Sequence, residues 1–328
     1  MYEGAAMASG AIPSGDSRDM GTASLARRNA LDIAVIRSLS QRSDLQGLLR
    51  VGAHLAVMLT TGYLVYRVQS NWYLLIPAMI AHGFTLVTMF APMHECVHRT
   101  AFDSRWLNET CGWLAGLLSF YNFTYYRLYH TWHHRYTQDP ERDPELMTPK
   151  PRTKWEYFVE ISGLSFWLYR PLLFFKMATG QTQAWAFVPD SAKARIAISA
   201  SAQLAVYVAA IISIAMGYKF ALYEFFLPAI LAQPLLRAIL ITEHTGCSHD
   251  ENGLTNTRTT LASFPIRLLM WNMPFHTEHH LYPSIPFHHL PEAHRELKAR
   301  LAHLAPDYLS TNCEIVKAIG SVKSEPIQ

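Results

Sequence analysis

Three clusters of histidine carry the chemistry this chain can do. The first, His94 and His98, reads H-x-x-x-H. The second, His130, His133 and His134, and the third, His276, His279 and His280, both read H-x-x-H-H. Positions i, i+3 and i+4 lie on one face of a helix, so each cluster can aim its imidazoles at one point. A lone His244 precedes the third cluster. Together these are nine of the sixteen histidines, eight of them in a repeated ligand spacing. The pattern predicts a metal centre. Imidazole suits zinc, copper, iron and nickel. Four ligands close a structural zinc site, and three with an open position make a catalytic one. Nine exceed the needs of one ion. Two ions with four or five ligands each, keeping open positions, use the count, and two redox-active irons bound in this way can activate dioxygen.

The elements that must position these residues are apolar. Hydrophobic residues make up 50% of the 328 and charged residues only 16%, against about 25% charged in an ordinary soluble domain. Leu48–Val68 and Trp72–Pro92 are apolar stretches of 21 residues each, separated by Gln-Ser-Asn at 69–71. Helices of that length span about 31 Å, enough to cross a bilayer core. Ile196–Met216 and Phe220–Ile241 form a second such pair around Gly-Tyr-Lys at 217–219, with Pro228 and Pro234 expected to kink the last helix. Trp113–Tyr129 and Tyr157–Ala178 are aromatic-rich and interrupted by Arg127, Glu160 and Arg170. They read as interfacial or partly inserted helices, with Trp and Tyr at headgroup level.

Basic residues set the orientation. The tight turns have one each, Arg67 and Lys219, whereas the N-terminal segment through Arg50 has six arginines, and segment 135–195 and the C-terminal segment are also basic. The positive-inside rule then puts both termini and the middle segment in the cytoplasm, with every histidine cluster and His244 on that side. A poorly ordered tail is expected through about Leu25 and an amphipathic surface helix around Leu31–Leu39. No cleaved secretory signal is expected. The four cysteines form no C-x-x-C pair and no disulfide framework. A net charge of +3, without a basic block or phosphate-cradling glycine loop, gives no reason to expect nucleic acid.

His94-Glu95-Cys96-Val97-His98, His130-Thr131-Trp132-His133-His134 and His276-Thr277-Glu278-His279-His280 resemble the three histidine boxes of the membrane fatty acid desaturase and hydroxylase family. The resemblance covers about Leu48 to Glu296. It implies an all-α integral membrane fold of four transmembrane helices in two hairpins, with a cytosolic histidine-rich di-iron cap and one or two interfacial helices. Residues 1–44 are then a partly disordered cytosolic tail, and 45–328 a single membrane-embedded domain. The metal ligands would be His94, His98, His130, His133, His134, His244, His276, His279 and His280, holding two Fe ions, with no further catalytic residue. The implied reaction is O2-dependent introduction of a carbon–carbon double bond into a fatty acyl chain. The alternative is a hydroxylase or other oxidase, including an oxidative decarboxylase or carotenoid-type oxygenase, working on a similar apolar or amphiphilic substrate with the same centre. No haem-binding His-Pro-Gly-Gly element occurs, so a separate ferredoxin, rubredoxin or cytochrome b5 type donor is expected to supply electrons. Localisation is expected to be multi-pass in a membrane, the inner membrane if bacterial. Glu243-His244-Thr245-Gly246 also resembles the Glu-His-x-Gly element of related alkane hydroxylases, whose histidine binds iron. One departure stands out: acyl-CoA desaturases carry a water-holding Asn four residues before that histidine, and here the position is Leu240.

Other readings explain less. His94-Glu95-x-x-His98 also fits a zinc protease, with Glu95 as general base, but that leaves six clustered histidines without a role. A metal transporter would place ionisable groups along the apolar helices, where only His54, His82 and Glu224 qualify. His82 lies twelve residues before His94, about 18 Å along a helix, and either packs or lines a substrate path. His288, His289 and His294 read as surface or supporting groups. Asp139, Glu141, Asp143 and Glu145 read as a solvated loop, or one of them orients a ligand imidazole.

Overall fold

The computed structural model describes residues 30–321. The expected tail through Leu25 lies outside these residues. The described chain is helical apart from one pair of two-residue parallel strands, β1 (Thr259–Thr260) and β2 (Leu304–Ala305). A short helix α1 (Ile33–Leu39) precedes α2 (Asp44–Arg67), α3 (Trp72–Val87) and α4 (Phe90–Val97). Then come α5 (Arg105–Leu118), α6 (Phe123–Tyr136), α7 (Lys154–Ile161), α8 (Leu164–Ala178) and α9 (Asp190–Ala215). A π-helical turn, Leu222–Phe226, leads into α10 (Leu227–Leu240). The chain continues through α11 (Phe264–Leu269), α12 (His276–Leu281), α13 (Leu290–Leu297) and α14 (Tyr308–Ser321).

Four helical runs are long and apolar enough to cross a membrane: Asp44–Arg67, Trp72–Val97, Asp190–Ala215 and Leu222–Leu240. Their outward faces carry exposed apolar residues, such as Leu59 and Tyr63 on α2 and Ile198, Ile211 and Ile212 on α9. Such a surface is stable against hydrocarbon and costly against water. Two boundaries differ from the sequence reading. The second run continues past Pro92 to Val97 after a break at Thr88–Met89. Pro92 sits in the first turn of α4, where a missing N–H disturbs no helical bond, so the first histidine box is carried on the helix end itself. Trp113–Tyr129 and Tyr157–Ala178 each divide in two, at 119–122 and at 162–163. Asn122 causes the first break: its Oδ1 accepts from Tyr125 N at 2.9 Å and starts α6. Gly163, in the left-handed region at φ 73°, causes the second.

Packing places the histidine-bearing elements. Helix α3 lies along α10 with no room between them: a Cβ on Gly83 would fall 1.9 Å from Pro228 O. Asn122 Nδ2 donates to Gln203 Oε1 at 2.7 Å, fixing the start of α6 to α9. Ala30, Leu31 and Leu39 bury against Phe275, Leu281, Ile285 and Leu290 beside the third box.

Candidate metal centre

Each cluster arrives on its own helical turn. His94 is on α4 and His98 caps that helix; His130, His133 and His134 lie on α6; His276, His279 and His280 lie on α12. His244 follows α10 in a turn that Arg258 clamps by donating from Nη1 to Thr242 O and to Thr245 O. Gly246 closes that turn at φ 77°. Non-glycine residues in the left-handed region flank all three boxes: Arg99 after the first, Gln138 after the second, Trp271 and Asn272 before the third. Such residues cost energy and persist where the surroundings over-determine them.

The imidazoles converge in two sets. Donor nitrogens of His94, His98, His130, His134 and His279 all lie within 4.8 Å of one another, and so do those of His133, His244 and His280. His276 stands next to the second set, its Nε2 3.2 Å from His244 Nε2. Within the sets, His130 and His134 Nε2 are 2.9 Å apart, His134 and His279 Nε2 3.1 Å, and His133 and His244 Nε2 3.3 Å. Neighbouring ligands around an ion with bonds of roughly 2.1 Å are about 3 Å apart. The donor set therefore fits a metal pair. Both ring nitrogens of His94, and Nε2 of His98 and of His280, are buried without a hydrogen-bond partner. Metal coordination would satisfy them, which polar groups buried here otherwise lack.

On three of the rings, those of His133, His244 and His280, the outer nitrogen is engaged, which turns Nε2 inward. His133 Nδ1 donates to Asp143 Oδ1 at 2.9 Å, His244 Nδ1 to Asn256 O at 3.1 Å, and His280 Nδ1 lies 3.3 Å from Thr137 Oγ1. Of the acidic loop, then, Asp143 is the member that orients an imidazole, and it is buried. Burial first, then neighbouring positive groups, hold His130, His134, His244, His279 and His280 well below the ordinary histidine range. The same causes bring His98 and His276 to about 3. Neutral imidazole is the form that binds metal. His133 departs from the rest: burial lowers it, but the Glu145 and Asp143 carboxylates outweigh this and raise it.

Two more carboxylates border the second set, Glu145 from the acidic loop the sequence already offered and Glu243, which it did not. Glu145 Oε1 lies 3.8 Å from His133 Nε2 and Glu243 Oε2 3.6 Å from His276 Nε2. Glu243 directly precedes His244, and adjacent residues on a helix diverge. The break in the helix after Leu240 brings both side chains to one place. Glu95, the general base of the protease reading, is buried and accepts from Phe287 N at 3.0 Å. His294 supports the third box through Glu278, its Nδ1 bonded to Glu278 Oε1. His289 pairs with Glu292 at the surface.

Comparison with known proteins agrees with this geometry. The sequence model of the family described as fatty acid desaturase matches residues 70–312. An sn-1 oleoyl-lipid 12-desaturase of Picosynechococcus is 33% identical over 121 residues, 35% of this chain and 35% of that protein. A fatty acid conjugase, FAC2 B, of Calendula officinalis is 26% identical over 276 residues, 72% of this chain and 73% of its own. A Delta(12) fatty acid desaturase, fat-2, of Caenorhabditis elegans is 26% identical over 278 residues, 78% of this chain and 72% of its own. The matched region contains all nine histidines, and the chain belongs to the membrane fatty acid desaturase family of oxidoreductases.

Proposed function

We propose that the protein is an O2-dependent fatty acyl desaturase whose two irons are held by His94, His98, His130, His134 and His279 on one side and His133, His244, His276 and His280 on the other. The convergence of nine imidazoles, eight buried and His98 partly so, from three helices and the turn after α10 carries this reading. Bound there, the irons supply the oxidising power that removes hydrogen from an unactivated carbon. The chain's own residues do the rest. Asp143, Asn256 O and Thr137 fix ring orientation. The cavity beside the histidines, about 320 Å³ and partly roofed by Tyr125, Tyr126 and Tyr129, holds the reacting carbon away from bulk water. The names of the relatives, 12-desaturases and conjugases, favour desaturation over hydroxylation.

In this reading the four apolar runs form two hairpins, residues 45–328 are one membrane-embedded unit, and residues 1–44 precede it in the cytoplasm. The basic residues flanking the runs put the metal centre on the cytosolic face, where a small ferredoxin, rubredoxin or cytochrome b5 type donor would dock. The test is product analysis after expression in a host of known lipid profile. A loss of two hydrogens from an acyl chain is expected, with about two irons per chain in the purified protein. A gain of one oxygen instead would establish the hydroxylase alternative.

A further inference from the structure

The wall of the cavity is not the apolar lining an alkyl chain alone would need. His94, His130, His244 and His276 form its metal side, and Arg170, Arg237 and Glu160 lie in its remaining wall. Its volume of about 320 Å³ is at the small end of sites that enclose a small molecule. With one exception the charged side chains of this wall have partners. Arg237 bonds through Nε and Nη2 to Glu160 Oε1. Glu145 and Glu243 face His133 and His276 at the metal side. Lys150 Nζ donates to Gln138 Oε1 at 3.2 Å.

Arg170 is the exception. Its guanidinium carbon lies 4.3 Å from the centre of the Tyr121 ring and 4.1 Å from that of Phe166. Among the described residues it makes no hydrogen bond and meets no carboxylate. Stacking on flat rings holds a guanidinium in place without consuming its N–H donors, which remain in their planar fork. Burial draws its pKa below the ordinary value, yet a guanidinium stays protonated in proteins. The cavity therefore contains a fixed, charged, unpaired donor fork in the same enclosure as the metal-facing histidines.

We infer that Arg170 anchors the carboxylate of the substrate, so that the enzyme takes a free carboxylic acid of short or medium chain, polar end inside the cavity, in place of an acyl chain esterified in a bilayer lipid. A carboxylate matches the fork with two parallel hydrogen bonds, and the chain of the acid then lies toward the histidines. This assignment rests on the desaturase reading of the site.

The test is equilibrium binding, which needs no turnover. Octanoate, methyl octanoate and octyl phosphate are titrated by calorimetry into the iron-loaded protein in a neutral detergent. The acid should bind about tenfold or more tightly than its uncharged ester, as a charge-assisted pair allows. Arg170→Met should bring the two within about twofold at unchanged iron content, and Arg170→Lys should keep part of the difference. Equal affinity of wild type for acid and ester, no binding of octanoate, or an intact preference in iron-replete Arg170→Met would each overturn the assignment. Tighter, Arg170-dependent binding of octyl phosphate would overturn the choice of carboxylate. If Arg170→Met does not fold, the wild-type comparison of acid and ester still decides. Acid preference without any double-bond product would sink the desaturase reading alone. Lipid desaturation without acid preference would sink this one alone.

Discussion

Asp143 Oδ1 accepts a hydrogen bond from His133 Nδ1 at 2.9 Å, with both side chains buried. The carboxylate is itself held, accepting from Gln138 N through Oδ2 at 2.8 Å and from Glu145 N through Oδ1 at 2.9 Å. A ring fixed at Nδ1 presents Nε2 to His244 and to the second donor set. It also becomes a more basic ligand, because the carboxylate stabilises positive charge on the imidazole.

Asp143→Asn keeps the shape and removes the charge. Outer partners of metal-bound histidines typically contribute 10–100-fold in affinity or activity. The variant should insert normally and lose about that factor in iron affinity, read by competition with a chelator. Wild-type iron retention in Asp143→Asn would show that the carboxylate serves the loop and not the metal.

His244 is the one proposed ligand outside a box. His244→Ala should abolish turnover and lower bound iron while membrane insertion stays normal. A histidine that merely capped a helix C-terminus would cost only about 0.3–1 kcal/mol of stability. Full iron content with near-normal turnover would remove His244 from the ligand set, and elemental analysis beside an activity assay settles which holds.

How much of this was legible in the sequence depends on the range of the interaction. The boxes and the apolar runs are local patterns, and periodicity alone places them. The sequence places the end of the second run too early, because a proline in a helical first turn leaves the same trace as a proline that ends a helix. Ser119–Asn122 and Gly163 interrupt stretches whose composition is continuous, and only the cap made by Asn122 reveals the first break. Asp143 and Glu145 sit in one acidic loop, and no local signal tells which carboxylate turns inward. In the sequence Arg170 is only an interruption in an apolar stretch. That it lacks a carboxylate depends on Glu160 bonding Arg237, 77 residues away.

The iron-free protein should lose stability as pH falls below about 6.5. His98 and His276 titrate at about 3 in the folded chain against an ordinary value of 6.5. Between those values the unfolded chain binds protons that the folded one refuses, so the free energy of unfolding falls with pH. The loss is complete once pH passes below the folded values. Iron binds only the neutral rings and opposes the loss by mass action. Melting temperatures of iron-free and iron-loaded protein from pH 7.5 to 5 check this. An iron-free melting temperature that does not fall across that range would contradict neutral buried imidazoles.

Orientation is testable without activity. A reporter fused at Gly217, between α9 and the π-helical turn, should read outside, and one fused after Lys150 should read inside. An outside signal at Lys150 would mean that α5 and α6 together cross the membrane and, with Gly217 still outside, that the α7–α8 pair crosses back, which would break the two-hairpin arrangement.

His82 has a structural task that its distance from the boxes left open. Pro228 has no N–H, so Glu224 C=O, four residues earlier, loses its α-helical donor. His82 Nε2 lies 3.0 Å from that oxygen, and His82 Nδ1 lies 3.0 Å from Thr61 Oγ1. A ring protonated at Nε2 donates to the carbonyl and accepts from the threonine, so it links three of the four apolar runs at the π-helical turn. An unsatisfied carbonyl among apolar helices costs about 1–3 kcal/mol, and lipid offers no water to replace the donor. His82→Leu should therefore lower the unfolding free energy by about that amount in detergent, while His82→Gln, which keeps an N–H donor, should recover part of it. Iron content at low temperature should be unchanged in both, since His82 is not among the residues that converge on the metal. A His82→Leu protein with wild-type stability but depleted iron would assign this histidine to the centre, and the plug at Pro228 would then need another explanation.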